Sequence, residues 1–221
     1  MAGTRITVLI SGRGSNLGAL LASMRTGTLQ GAHCAVTQVV ANRADAAGLA
    51  LARDHGVPTQ VVDHFAHASR DAFDSALAAV IDAGQPDLVV LAGFMRVLGR
   101  AFVRRYEGRL LNIHPSLLPS YPGLYTHRRA LADGVRIHGC TVHFVTPEVD
   151  VGPIVAQAAV PVLDNDDEIS LAARVLVAEH VLLPAVVGWY CSGRLVIAGM
   201  RLHVKDQVAP ARPTMLVAPE L

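Results

Sequence analysis

The sequence has one lysine, Lys205, among its 221 residues. Schiff-base chemistry and Walker-type phosphate loops both need a lysine ammonium at a defined position, so a lone lysine near the end of the chain argues against both. Cysteine is nearly as scarce, and Cys34, Cys140 and Cys191 share no close spacing. The cysteines therefore predict neither a metal motif nor a disulfide framework, as is typical of proteins in a reducing cytosol.

An excess of charge of either sign is also absent. The formal net charge is +1 and the pI is near 7.9, so no basic field predicts nucleic acid binding. No apolar stretch reaches the length of a membrane span without a polar interruption, and the apolar run at the N-terminus is too short for a signal sequence. Hydrophobic residues nevertheless make up 52% of the chain, enough for the core of a sizeable domain.

Short apolar runs alternate with longer amphipathic ones in the first half of the chain. The predicted strands are Ile6–Ile10, Val36–Ala41, Thr59–Val62, Asp87–Ala92 and Leu110–His114. Helices are predicted between them over about 15–24, 45–55 and 70–83. This β-then-α order predicts an α/β fold, a Rossmann-like and mostly parallel twisted sheet flanked by helices.

The pattern changes in the second half. Strands predicted at Cys140–Val145 and Ile154–Val162 can pair antiparallel at the far side of the sheet. A long helix is predicted over about 167–190, and Pro184 is expected to bend it. One further strand candidate follows, and then a loose C-terminal tail over roughly 207–221. Because no repeat or linker divides the sequence, we predict a single domain spanning residues 1–221.

The stretch ISGRGSN lies between the first predicted strand and the first predicted helix. Gly12 and Gly14 permit positive φ and close backbone approach, and the helix that follows begins with free N–H groups. The turn suits a phosphate held by backbone amides and by the side chains of Ser15 and Asn16. Leu17 replaces the third glycine of the dinucleotide fingerprint, so NAD is not expected. The alternative is a tight turn in which the serine and asparagine only cap the helix.

The strand at Leu110–His114 ends in two polar side chains. Strand alternation places Asn112 and His114 on one face, at the sheet edge where open α/β folds bind ligands. An amide and an imidazole that converge there can donate hydrogen bonds to an oxyanion. Asp150, in PEVDVGP, is the candidate carboxylate that favours the imidazolium. The alternatives are local backbone hydrogen bonds for the first two residues and a solvated turn for the aspartate.

Four segments, ISGRGSN, VVLAGFMRVL, LLNIHPSLLPSYPG and HFVTPEVDVGPI, together resemble the glycinamide ribonucleotide formyltransferases of purine synthesis. The resemblance runs from about residue 6 to residue 189. It implies the formyltransferase fold and transfer of the formyl group of 10-formyltetrahydrofolate, a co-substrate, to the primary amine of glycinamide ribonucleotide. It also implies a cytoplasmic enzyme, monomeric or homodimeric, that needs no metal and no nicotinamide. The histidines, in addition, show no metal-ligand spacing.

The resemblance implies roles for the residues at matching positions. The catalytic trio, which stabilises a tetrahedral intermediate, is matched by Asn112, His114 and Asp150. The ribonucleotide site is matched by Gly14, Ser15, Asn16 and Glu179. The folate site is matched by Arg70, Met95, Arg96, Val97, Leu98, Thr146, Pro147, Glu148 and Val149.

Ordinary structural roles are the alternatives for several of these binding residues. Met95 and Leu98 can be core residues. Arg70 and Arg96 can be solvated, and Glu179 can lie on the exposed face of a helix.

Two positions depart from the family. Val151 stands where the family often has glycine, which restricts that residue to negative φ. Leu176, one turn before Glu179, stands where a polar side chain is common, so a ribose or phosphate contact is expected to be missing. His127 and His143 lie near the catalytic motif and are expected to have structural or supporting roles.

Three rival functions can be weighed against this one. A formyltetrahydrofolate hydrolase uses the same apparatus with water as the acceptor, and such enzymes usually add an N-terminal regulatory domain and a histidine where Pro115 stands. Methionyl-tRNA formyltransferases add an RNA-binding domain, for which this chain is too short and too neutral. A sugar-phosphate-binding module would need the glycine turn but not the trio.

Overall fold

A seven-stranded sheet forms the centre of the protein. The structure is a computed structural model that describes residues 3–31, 33–206, 216 and 218. The strands of the sheet are β1 (Thr4–Ile10), β2 (Cys34–Ala41), β3 (Thr59–Val61), β4 (Leu88–Leu91), β5 (Leu110–His114), β6 (Ile137–Phe144) and β7 (Ile154–Pro161). Their order is β3-β2-β1-β4-β5-β6-β7. Neighbours from β3 to β5 are parallel, whereas β5–β6 and β6–β7 are antiparallel. The predicted fold class is confirmed.

Helices cover both faces of this sheet. Within the described residues they are α1 (Ser15–Thr26), α2 (Gly48–Asp54), α3 (Arg70–Ala83), α4 (Arg100–Arg105), α5 (Thr126–Ala132) and α6 (Glu168–Cys191). Side chains of α1, α2 and α6 share one buried cluster with the sheet, and those of α3 and α4 share another. In β1, for example, Val8 and Ile10 belong to the first cluster and Leu9 to the second. Each such fully buried side chain contributes roughly 1.5–3 kcal/mol to folding.

Helix α6 is long and apolar, and a capping box stabilises its N-terminus. Asp167 and Ser170 form a capping box in which the Asp167 carboxylate accepts from the Ser170 N–H at 2.8 Å and the Ser170 hydroxyl accepts from the Asp167 N–H at 3.0 Å. The helix passes through the buried Pro184 without ending. By length and composition alone it could span a membrane. Its Leu171 and Val175 lie in the main core cluster, so packing against the sheet accounts for its hydropathy.

Several predicted boundaries differ from the structure. The helix expected from residue 45 begins at Gly48, after a turn in which Arg43 pairs with Asp45. Helices α4 and α5 were not predicted. The tail contains a hairpin of two strands, β8 (Leu195–Ala198) and β9 (Arg201–Val204), where one was expected. The tail predicted over 207–221 lies outside the described residues, except for positions 216 and 218.

Candidate active site

The candidate site lies at the carboxyl ends of β1, β4 and β5. The loops that follow β1 and β4 are joined there, because the Ser11 N–H donates to the Gly93 carbonyl at 3.2 Å and the Met95 N–H donates to the Ser11 hydroxyl at 2.7 Å. The strands themselves are in register, with Leu91 of β4 beside Asn112 of β5. The predicted convergence of these strand ends is therefore present.

Asn112 and His114 share one face of β5. The residues between and before them, Ile113 and Leu111, pack into the cluster that includes α6, whereas Leu110 packs into the opposite cluster. The alternation expected from the sequence is thus observed. The antiparallel partner of Asn112 is His143 in β6.

His143 holds the amide of Asn112. The ring Nδ1 lies 3.0 Å from the Phe144 carbonyl, which can only accept, so Nδ1 carries the proton and Nε2 is left as an acceptor. The Asn112 Nδ2 donates to that Nε2 at 3.1 Å. Burial lowers the pKa of His143, which keeps the ring neutral and able to accept. One N–H of the Asn112 amide remains free for a ligand.

His114 is held at one nitrogen by the backbone and faces a carboxylate with the other. Its Nε2 lies 3.0 Å from the Tyr121 carbonyl, an acceptor, so Nε2 carries a proton. Its Nδ1 lies 3.5 Å from Oδ2 of Asp150, and the two side chains are 7% and 10% exposed. The sequence left two roles open for His114, a local backbone hydrogen bond and a hydrogen bond to a ligand. The backbone hydrogen bond accounts only for Nε2. With one proton on Nε2, the Nδ1 atom becomes a donor only when the ring carries a second proton.

Asp150 lies between the two imidazoles. Its Oδ1 is 3.7 Å from Nε2 of His143, and its Oδ2 accepts from the Gly123 N–H at 2.8 Å. The carboxylate side chain is only 10% exposed, so the reading of Asp150 as a solvated turn residue is wrong. Its backbone has φ of 57°. Val151 does not have a positive φ. Valine in place of the glycine that is common in the family therefore adds no backbone strain.

The loop after His114 is fixed by hydrogen bonds to the antiparallel strands. Thr141 of β6 donates through its hydroxyl to the Ser116 carbonyl at 2.6 Å and accepts from the Leu118 N–H at 3.0 Å. Gln157 of β7 donates to the Leu118 carbonyl at 2.8 Å. These supporting residues were missed from the sequence, because their roles depend on the register of β5, β6 and β7.

The glycine turn starts helix α1 without a side-chain cap. Gly14 is the N-cap residue, with φ of 73°, and no side chain bonds to the first turn. The reading of Ser15 and Asn16 as capping residues is therefore wrong, and the first N–H groups of α1 are available to an anion. A Cβ on Gly14 would lie 2.7 Å from the Cα of Gly48, so close packing against α2 also requires glycine here.

Asn16 and Glu179 join the turn to α6. The Asn16 Nδ2 donates to Oε2 of Glu179 at 2.6 Å, and both residues are buried. Burial raises the pKa of Glu179, and the hydrogen bond from Asn16 opposes that effect. The reading of Glu179 as an exposed helix residue is wrong, since it lies beneath the glycine turn. Leu176, the departure from the family one turn earlier, is half-buried.

The residues predicted for folate lie on two neighbouring loops. In the first, Met95 and Val97 are 66% and 57% exposed, and Leu98 is 8% exposed; Leu98 is thus a core residue, whereas Met95 is not. The second loop contains Thr146, Pro147, Glu148 and Val149, and Val149 is also exposed. Arg100 at the start of α4 links the loops, with its guanidinium 3.1 Å from the Glu148 carboxylate.

Arg70 and Arg96 are both exposed and both lie near one carboxylate. Their positive charges lower the pKa of Asp74, although burial, the larger effect, raises it. Asp74 also accepts from the Gly99 N–H at 2.6 Å. The structure thus brings the two arginines to the same end of the loop that contains Met95. Their being solvated is compatible with a role in binding a charged ligand.

No group of three or more His, Cys, Asp or Glu side chains that could hold a metal ion is found within residues 3–31 and 33–206 or at positions 216 and 218. His114, His143 and Asp150 lie together in the site, and their hydrogen-bond partners are backbone and amide groups. This arrangement suits hydrogen bonding to a reacting oxygen and the transfer of a proton.

Comparison with known proteins shows which family the chain belongs to. Residues 4–187 match the model of the formyl transferase family. The chain is 52% identical over 190 residues to phosphoribosylglycinamide formyltransferase of Escherichia coli (strain K12), covering 86% of this chain and 88% of the relative. Glycinamide ribonucleotide transformylase 1 of Symbiobacterium toebii superposes with a TM-score of 0.88 at 48% identity, covering 93% of this chain and 95% of that structure.

A formyltetrahydrofolate deformylase from Pseudomonas syringae has the same fold but a lower sequence identity. It superposes with a TM-score of 0.84 at 25% identity, covering 92% of this chain and 66% of that structure. The fold is thus shared by transferring and hydrolysing enzymes, but sequence identity favours the transferring ones. The chain belongs to the formyl transferase family and is an enzyme of that class.

Proposed function

We propose that this enzyme transfers the formyl group of 10-formyltetrahydrofolate to the primary amine of glycinamide ribonucleotide, a step of purine synthesis. The observation that carries the proposal is the arrangement of Asn112, His114 and Asp150 at the end of β5, with His143 behind them. The high identity to the Escherichia coli relative over most of both chains supports the same acceptor.

The reaction develops negative charge on one oxygen. When the amine attacks the formyl carbon, the carbonyl oxygen becomes an oxyanion, and donors aimed at it lower the barrier. The free N–H of Asn112 and the Nδ1–H of protonated His114 are the two donors. His143 holds the first and the Tyr121 carbonyl holds the ring that carries the second. No covalent intermediate is required.

Asp150 has two roles in the same step, a contact with His114 and the transfer of a proton. Its carboxylate lies 3.5 Å from Nδ1 of His114, where it can accept a hydrogen bond from the Nδ1–H of the protonated ring. The attacking amine must lose a proton and the folate nitrogen must gain one. Asp150, directly or through a water molecule, is the group at hand to relay that proton.

The two substrates use different loops around this centre. The phosphate of the ribonucleotide binds the uncapped start of α1, at Gly14, Ser15 and Asn16, and Glu179 contacts the ribose. The folate lies over the exposed apolar side chains of the two loops that Arg100 links, with its glutamate tail toward the exposed arginines. We expect a cytoplasmic enzyme, monomeric or homodimeric, acting on small molecules only, without a nucleic acid, membrane or metal.

The test is an acceptor-dependent assay. The enzyme is mixed with 10-formyltetrahydrofolate, with and without glycinamide ribonucleotide, and the absorbance of the deformylated folate is followed. A signal that requires the ribonucleotide supports transfer. An equal signal without it would identify a hydrolase, and binding without any signal would identify a binding module. Asn112→Ala, carried through the same assay, controls for contaminating activity.

A further inference from the structure

Two of the three cysteines lie next to each other, although 157 positions separate them in the sequence (191 − 34). The side chains of Cys34 and Cys191 pack against the same buried cluster, and each thiol shifts the pKa of the other. Cys34 is the first residue of β2 and Cys191 is the last residue of α6. Both are partly exposed, whereas Cys140 is buried in β6. The distant spacing concealed this pair in the sequence.

Independent contacts place the end of α6 beside the start of β2. Thr4 is the register partner of Cys34 in the parallel β1–β2 pair. One turn before Cys191, a Cβ on Gly188 would lie 2.8 Å from Leu29, in the segment that leads to β2.

The residue before Cys191 is also held at this edge of the sheet. The Tyr190 hydroxyl donates to the Asp87 carbonyl at 2.9 Å, just before β4. Asp87 in turn accepts, through its carboxylate, from the Arg5 N–H of β1 at 2.8 Å. The two thiols are therefore held together by the packing of the helix end against the sheet.

We propose that Cys34 and Cys191 are a reactive thiol pair that small-molecule disulfides convert reversibly into an intramolecular disulfide. The pair lies at the amino ends of the strands, the edge opposite the candidate active site. A disulfide there would join the half of the sheet that carries the glycine turn to the C-terminal end of α6. It would act as a covalent brace and would leave the reacting groups untouched.

The two thiols have different chemical roles. The hydrogen bond from Cys191 lowers the pKa of Cys34 to about 7, while donation to Cys34 and burial raise the pKa of Cys191. Cys34 is therefore the nucleophile, since the thiolate is the attacking form. Burial raises the pKa of Cys140 to about 12, which makes that thiol unreactive.

The exchange is balanced with oxidised glutathione as the oxidant. The Cys34 thiolate attacks one glutathione sulfur, and one molecule of glutathione leaves as a thiolate. Cys191 then loses its proton to that thiolate or to water and attacks the sulfur of Cys34, which releases the second glutathione. Two protein thiols are oxidised to one disulfide, and one glutathione disulfide is reduced to two thiols.

The experiment counts thiols and measures mass on the native protein. After treatment of the reduced enzyme with oxidised glutathione, we expect two of its three thiols to be lost, no glutathione to remain attached, and a peptide map that links Cys34 to Cys191. Dithiothreitol should restore all thiols, and the oxidised form should melt at a higher temperature than the reduced form. The control Cys140→Ala should behave like the unchanged protein.

Single variants separate the two roles. Cys191→Ala should retain one glutathione on Cys34, and its rate of reaction should rise at higher pH than in the unchanged protein, because the hydrogen bond that favours the thiolate is lost. Cys34→Ser should react at least tenfold more slowly. Retention of all three thiols by the unchanged protein, stable glutathione attachment to it, or an unmoved pH profile in Cys191→Ala would overturn the proposal.

Discussion

The side-chain amide of Asn112 and the ring of His143 face each other across two antiparallel strands, with Nδ2 of Asn112 donating to Nε2 of His143 at 3.1 Å. Because the other ring nitrogen bonds to the Phe144 carbonyl, the direction of this hydrogen bond is fixed. The amide can therefore present its remaining N–H in only one direction. A strand pair thus orients a group that we propose to be a catalytic donor.

Asn112→Ala should lower kcat by roughly 10²–10³-fold with little change in KM, as expected for the loss of one oxyanion donor. The amide acts on charge that is present only in the transition state, so binding of the substrates should survive. Loss of the bond to His143 should cost about 1 kcal/mol of stability. The measurements are kcat and the urea midpoint on the same sample. Near-normal turnover with a clearly lowered midpoint would assign Asn112 a purely structural role.

The trio should also behave as one unit. His114→Ala should be at least as damaging as Asn112→Ala, because it removes a donor and a positive charge together. The double variant should then be far less impaired than the product of the two single effects. Steady-state kinetics on the four proteins of the cycle test this, and simple multiplication of the effects would contradict a shared oxyanion site.

His143→Phe should lower kcat by roughly 10–10²-fold, because the Asn112 amide loses the acceptor that orients it. The KM values for both substrates should change little. His143→Gln offers a side-chain oxygen as acceptor and should recover part of the loss. Equal kcat in all three proteins would show that the orientation of Asn112 does not depend on His143.

Gly12→Val tests the phosphate position more cleanly than a change at Gly14. A Cβ on Gly12 meets no atom within 4 Å, whereas one on Gly14 would collide with Gly48. A side chain at Gly12 would therefore fit without a clash, two residues before the uncapped start of α1, and we expect it to crowd the anion. We expect the KM for the ribonucleotide to rise about tenfold or more, by loss of roughly 1.4 kcal/mol of binding, and the KM for folate to stay unchanged. An unaltered ribonucleotide KM in the folded variant would show that the phosphate binds elsewhere.

Arg70→Ala and Arg96→Ala test the position of the folate tail. If the two guanidiniums attract its carboxylates, each substitution should weaken folate binding, and more at low salt than at high salt because exposed charges are screened. Arg25→Ala, at an exposed arginine in the last turn of α1, is the matched control. Titration of folate at two salt concentrations provides the comparison, and equal affinities of all three variants at low salt would contradict this placement.

The sequence predicted the elements whose apolar pattern is strong. Helix α3 and strand β5 have the bounds that were expected, since a regular apolar repeat defines the helix and alternating apolar residues before Pro115 define the strand. Helices α4 and α5 were missed because they have six and seven residues, too few for a helical period to emerge. Helix α5 also starts after Tyr125 in a left-handed conformation, without a capping side chain.

Strand alternation predicts a shared face only for residues that lie close together in sequence. Asn112 and His114 are two positions apart on one strand, so alternation places them on the same face. The partner His143 and the supporting Thr141 come from β6, and only the strand register brings them opposite β5. Nothing in a single sequence specifies that register. The contact between Asn16 and Glu179 is hidden for the same reason, because it depends on how α6 crosses the sheet.

The imidazole of His138 should set part of the pH dependence of stability. His138 is buried in β6, and neither of its ring nitrogens has a hydrogen-bond partner among the described residues. Its ring packs edge-on against that of His127, with centroids 5.3 Å apart. Burial, aided by the nearby His127, lowers the pKa of His138 to about 4. The native protein therefore excludes a proton that the unfolded chain takes up near pH 6.5.

The sign of the effect follows from proton linkage. Between pH 6.5 and about 4 the unfolded state binds more protons than the native state, so the free energy of unfolding should fall as the pH is lowered through this range. At the acid end, His138 should account for a loss of roughly 3 kcal/mol in the free energy of unfolding, at about 1.4 kcal/mol for each unit of pKa difference. His138→Phe keeps the ring contacts and removes the titrating group. Urea unfolding at several pH values should show a shallower loss of stability for this variant. His33→Gln, at an exposed imidazole, should follow the unchanged protein, and identical pH profiles for all three proteins would rule out His138 as a source of acid sensitivity.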